Sequence, residues 1–87
     1  MKSSPHLLES LGITVEKIRK ERKLTKTALA GFADLQDCYI RGIIKGTRNP
    51  TITAISSMCE ALGISLPEFF QRVTEELKSR QGRDHSR

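Results

Sequence analysis

The sequence predicts an all-α domain of five helices. Three observations carry that prediction. Apolar residues recur at helical spacing in five separate segments, no run alternates apolar and polar residues as a half-buried strand would, and capping or breaking residues bound the segments. At 87 residues the chain is one small domain, near the size at which a single apolar core suffices without disulfides or metal. With 37% hydrophobic residues and few aromatics that core must be thin, yet 29% charged residues of mixed sign is not a disordered composition.

The first helix has Ser4 as N-cap and Pro5 at its first position, where the missing N–H costs nothing. Leu11, Val15, Ile18 and, at the same spacing, Arg22 line one side, with Glu16, Lys17, Lys20 and Lys23 on the other. Residues 1–10 are an N-terminal extension and the start of this helix. Thr25 caps a second, two-turn helix, KTALAGFA, whose apolar face is Ala28, Leu29, Phe32 and Ala33. The third starts after Gln36, carries Ile40, Ile43 and Ile44 as an i, i+3, i+4 stripe, and ends at Gly46. GTRNPT is a turn, because Pro50 biases Asn49 away from the helical region.

Thr51 caps the fourth helix, with Ile52, Ile55, Met58, Cys59 and Leu62 as its buried face and Gly63 as a left-handed C-cap. Ser65 and Glu68 form a capping box at the start of the fifth, whose stripe is Leu66, Phe69, Phe70, Val73 and Leu77. The folded domain spans residues 11–79, and residues 80–87, which have no apolar periodicity, form a basic flexible tail.

A net charge of +5 and a pI near 9.6 favour a polyanionic partner. The distribution is more telling: no acidic residue lies between Asp37 and Glu60, while Arg41, Lys45 and Arg48 fall in that gap. Cys38 and Cys59 lack metal-ligand spacing, and His6 and His85 lie near opposite ends, so no metal and no cofactor is expected. No apolar run approaches the roughly 20 residues of a membrane span, and no secretory segment is visible, so a cytoplasmic protein with reduced thiols is expected.

Two short helices, Lys26 to Ala33 and Asp37 to Lys45, separated by a tight turn and followed by a basic loop, fit a helix-turn-helix, which lays its second helix in the DNA major groove. Leu11-Gly12, Ile18-Arg19, LTKTALA from Leu24, YIRGIIKGTRNPT from Tyr39 and EALGISLPEFF from Glu60 extend the match. Over roughly residues 11 to 70 the chain thereby resembles the Cro/repressor-type (XRE-like) helix-turn-helix family of phage repressors, restriction-modification controller proteins and related bacterial regulators. The resemblance implies a compact, lambda-repressor-like five-helix domain that docks on double-stranded DNA through helices 2 and 3.

Carried over residue by residue, Lys26 takes the place of a phosphate-contacting residue, commonly Gln, at the start of helix 2, where a helix N-terminus also favours phosphate. Thr27 beside it, together with Lys45, Arg48 and Asn49, completes the phosphate candidates. The base-reading candidates are Asp37, Cys38, Tyr39, Arg41 and Gly42. Tyr39 either offers its hydroxyl to DNA or packs on helix 2.

Several positions depart from the family pattern. Asp37 stands where Arg, Gln or Ser is usual, and either stabilises the helix N-terminus or accepts a hydrogen bond from cytosine N4. Cys38 replaces a common Thr or Gln; it is read as a small groove-facing side chain, with a redox-sensitive thiol as the alternative. Gly42 costs about 1 kcal/mol relative to Ala in a helix interior, but the Tyr-Ile-x-Gly-Ile pattern resembles controller-type members, and a missing side chain lets the helix approach a groove floor. Ile44 replaces a Glu that would pair with Arg19, so Arg19 must turn outward or pair elsewhere. Asp34 replaces the usual turn glycine and must adopt the left-handed conformation, which Asp tolerates.

The leading functional expectation is a sequence-specific transcriptional regulator, a repressor or controller, binding a two-fold operator as a homodimer through helices 4 and 5, with Phe69, Phe70, Val73 and Leu77 at the contact. The alternative is an antitoxin-like module whose C-terminal helix binds a partner protein. An enzyme finds no support in the sequence: it shows neither a core histidine, nor paired carboxylates on one face, nor a Gly-rich phosphate loop.

Overall fold

A computed structural model describes residues 5–85, with side chains over residues 6–80. In chain order the helices are α1 (Pro5–Glu21), α2 (Lys26–Ala33), α3 (Asp37–Lys45), α4 (Ile52–Leu62) and α5 (Leu66–His85). The expected N-cap at Ser4 lies outside the described residues. Thr25 Oγ1 accepts the Ala28 N–H at 2.9 Å, Thr51 Oγ1 that of Ala54 at 3.0 Å, and Ser65 Oγ that of Glu68 at 3.2 Å, so three caps form where the sequence places them. Asp34 ends α2 in the left-handed region at φ 58°, ψ 44°, with its N–H and that of Leu35 closing on the Gly31 and Ala30 carbonyls. Lys23, at φ 59°, does the same after α1, a turn that no glycine announces.

Helix α1 packs between α3 and α5, and α2 packs against α3 and α4. Val15 and Ile18 from α1, Leu29 from α2, Ile40 and Ile43 from α3, Met58 and Leu62 from α4 and Phe69 from α5 fill the centre. The closest approach is at Gly12, where a Cβ would lie 2.5 Å from the carbonyl oxygens of both Ile43 and Ile44. Backbone cannot retreat as a side chain can, so only glycine permits α1 to lie against the end of α3.

Five expectations need correction. Phe32 is 70% exposed, because α2 turns Leu29, Ala30 and Ala33 inward, and helical spacing carries Phe32 off that face toward solvent. Ile52 is 66% exposed: it is the first residue of α4, off the centre of the inward face formed by Ala54, Ile55, Met58, Cys59 and Leu62. Arg22 is outside the apolar stripe; its Nε donates to the Leu62 carbonyl at 2.7 Å and its Nη2 to that of Gly63 at 3.4 Å, satisfying the end of α4. Phe69 and Val73 are buried inside the protomer at 0% and 3% exposure, so they cannot form a dimer surface; Phe70 and Leu77 are half-buried. The helical backbone continues to His85 through most of the expected tail, and Arg80 pairs with Glu9 at 3.5 Å and Glu76 at 3.6 Å.

Arg19 finds another partner, as Ile44 requires. Its Nε and Nη2 donate to the two oxygens of Glu16 at 2.9 and 2.8 Å, and its Nη1 donates to the Leu24 carbonyl. This fork holds the Glu16 carboxyl below its ordinary range against the opposing effect of burial. Ile44, freed from charge pairing, packs half-buried against the core.

Candidate nucleic-acid interface

Helix α3 buries Ile40 and Ile43, which turns Cys38, Arg41 and Lys45 to solvent. Helical spacing sets Asp37 and Arg41 one turn apart on one flank of this outer face and Tyr39 on the opposite flank. Asp37 opens the helix at the position after Gln36, which makes no side-chain cap. Its Oδ2 accepts a hydrogen bond from Arg41 Nε, and that bond is the first cause holding its carboxyl below the ordinary range; nearby Thr27 and the charge of Lys26 add to it. Oδ1 of the same carboxylate is shielded and has no hydrogen-bond partner of normal geometry among the described residues.

On the other flank the Tyr39 hydroxyl accepts the Thr51 N–H at 3.3 Å, which ties α3 to the start of α4. The Arg48 guanidinium sits over the Tyr39 ring, 5.6 Å from its centroid, within cation–π range. The stem of Arg48 crosses Gly42, where a Cβ would come within 2.4 Å of Arg48 Cγ. The sequence reading of Gly42 as bare backbone open to a groove is therefore corrected: its open side is covered by Arg48. The loop that carries Arg48 is held to α3 by the N–H groups of Thr47 and Arg48, which both donate to the Gly42 carbonyl at 2.9 and 3.2 Å.

Among the described residues, Lys26, Lys45 and Arg48 form no ion pair with a carboxylate. Lys26 is half-buried, while Thr27, Lys45, Arg48 and Asn49 are exposed. The structure thus brings the base-reading and phosphate candidates together on α2, α3 and the following loop. Cys38 is exposed, with its Sγ 3.9 Å from Gln36 Oε1; Cys59 is buried, and burial pushes its thiol up to about 11. No group of three metal-ligating side chains occurs among the described residues, and no helix there is long and apolar enough to cross a membrane.

Sequence reasoning missed two residues that set this surface in place. Gly12 admits the end of α3, and its signal was the Leu11-Gly12 pair. Glu16 holds Arg19, and its signal was the i, i+3 spacing between them, legible once Ile44 denied Arg19 its usual partner.

The helix-turn-helix family profile matches residues 15–69, from within α1 into the first turn of α5. The immunity repressor protein of Bacillus phage phi105 is 37% identical over 57 residues, which are 66% of this chain and 40% of the repressor. The chain spans about two-fifths of that relative's length. The control protein C.MunI of Mycoplasma sp is 32% identical over 66 residues, covering 75% of this chain and 89% of the control protein. Among solved structures, the restriction-modification controller protein C.Esp1396I, a tetramer in complex with its natural 35 base-pair operator, superposes with a TM-score of 0.77 at 32% identity, covering 82% of this chain and 93% of that one. With the profile running from α1 through the whole of α2, α3 and α4 into α5, the chain belongs to the helix-turn-helix family.

Proposed function

We propose that this protein is a DNA-binding transcriptional regulator, a repressor or controller acting in the cytoplasm as a homodimer on a two-fold operator. The observation that carries the reading is the outer face of α3 flanked by cations without carboxylate partners, Lys26 on one side and Lys45 and Arg48 on the other, in an acid-free stretch from residue 38 to 59. Cations left unpaired by the protein are available to phosphate, and each one placed there releases condensed counterions. The relationship to a controller that assembles on its operator supports the same reading.

In this arrangement α3 enters the major groove, Lys26, Thr27, Lys45 and Asn49 meet the phosphates, and Arg48, fixed by Tyr39 and Gly42, meets the groove wall. Two copies on half-sites about one helical turn apart supply contacts that one nine-residue helix lacks. Of the four dimer candidates on α5, Phe70 and Leu77, partly buried in the protomer, remain available to the second copy. Selection from a random duplex library at physiological salt tests the reading: an enriched palindrome with a fixed half-site spacing is expected, and enrichment of no sequence would refute it.

A further inference from the structure

We infer that Arg41 is a guanine reader and that Asp37 is the positioning residue that sets its geometry. The inference rests on the DNA-binding reading above and specifies what the first turns of α3 recognise. Arg41 Nε is engaged by Asp37 Oδ2, whereas its two terminal nitrogens make no hydrogen bond among the described residues. A guanidinium held at Nε cannot approach a base side-on through Nε and one terminal nitrogen. It presents the other edge, Nη1 and Nη2 together, as a fork of two donors.

That fork has no acceptor function, so its match in the major groove is a base with two adjacent acceptors. Guanine, with O6 and N7, provides them; adenine and cytosine each place an amino donor there, and thymine offers one acceptor beside a methyl group. Asp37 also removes a degree of freedom. Both side chains are about half exposed, 48% for Arg41 and 41% for Asp37, and among the described residues the hydrogen bond to Asp37 is the polar contact that orients the guanidinium. The paired carboxylate further explains how an acid is tolerated at the first residue of a helix facing DNA: its charge is spent on Arg41, and Lys26 lies near.

The same random-library selection, run with wild type, Arg41→Ala, Asp37→Ala, Asp37→Glu and the double Asp37→Ala/Arg41→Ala variant, tests this inference. Wild type should enrich a palindrome with guanine preferred about tenfold or more at one position of each half-site. Arg41→Ala should flatten that position. Asp37→Ala should flatten the same position several-fold while raising affinity for random duplex, and the double variant should flatten it no further than Arg41→Ala. Asp37→Glu, which keeps a carboxylate one turn from Arg41, should restore part of the preference.

A guanine preference unchanged by Asp37→Ala would overturn the inference, leaving Asp37 a helix-terminus charge. Loss of preference at a separate cytosine position would overturn it too, making Asp37 a direct reader. Both outcomes leave the enriched palindrome, and with it the DNA-binding reading, intact; a wild type that enriches nothing defeats the reading itself. Circular dichroism of each variant establishes that it is folded.

Discussion

The two ends of this small domain treat their charges in opposite ways. Where α5 crosses α1, cations meet carboxylates: Lys17 with Glu76 at 3.0 Å, Arg72 with Glu21 at 2.8 Å, and Arg80 with Glu9 and Glu76. At the α2–α3 end, Lys26, Lys45 and Arg48 have no such partner among the described residues, and the one ion pair there, Arg41 with Asp37, lies within α3 itself. A charge satisfied within the fold offers little to a polyanion. The net charge of +5 is therefore a poor guide to function until the pairing is known, and the pairing leaves the α2–α3 end as the one with charge to offer a polyanion.

The contrast can be broken most severely by detaching α3 from its support. Gly12→Ala places a methyl group against two carbonyl oxygens of α3 and should cost about 1–3 kcal/mol or more, by overpacking where the backbone cannot yield. Thermal unfolding measures the loss; an unchanged melting temperature would show that α1 and α3 are not in this contact.

Acid probes the next layer. Glu16 has a folded value below its ordinary 4.5, so its stabilisation is complete above that pH and is lost as pH falls through the lowered value. Glu16→Gln should destabilise the protein by about 1–2 kcal/mol at pH 6, where Arg19 loses a charged acceptor, and by almost nothing once the pH has fallen through the lowered value of Glu16. A deficit that persists in acid would mean that packing rather than charge is at stake.

Gly42→Ala should move stability and binding in opposite directions. Alanine favours the helix by up to about 1 kcal/mol, while its methyl group displaces the Arg48 stem from its seat. DNA affinity should fall to that of Arg48→Ala, and the double variant should fall no further. Additive losses in the binding titration would separate the two residues.

The smallest effect tests the comparison most directly. Lys26→Ala should reduce the slope of log affinity against log salt by about 1, whereas Lys17→Ala, from the paired face, should leave that slope unchanged and cost at most about 1 kcal/mol of stability. Equal slopes for the two variants would erase the distinction between the ends.

Much of this architecture was legible in the residues. Thr25, Thr51 and Ser65 cap where expected because capping depends only on a hydroxyl and the N–H three residues on. Asp34 adopts the left-handed turn for an equally local reason. That Arg19 must turn outward or pair elsewhere was deducible because an unpaired guanidinium is costly to shield from water, whereas Glu16 as the partner was read only from the structure. The errors fall where a face had to be chosen by its neighbours. Phe32 and Ile52 are apolar yet exposed, and Phe69 and Val73 are consumed by the protomer's own core instead of a second copy. Hydrophobicity says that a side chain gains from burial, but not which side chains the neighbouring helices have room to cover.

By itself, then, the sequence determined the five helices, the stops of α2, α3 and α4, the acid-free stretch and the helix-turn-helix register, since each depends on interactions among residues a few positions apart. The tertiary structure alone decided that Gly12 must be bare, that Arg48 lies across Gly42 and over Tyr39, and that α5 spends its charges on α1. These depend on how closely two helices approach and which faces meet, quantities set by the packing of the whole domain and written in no single segment.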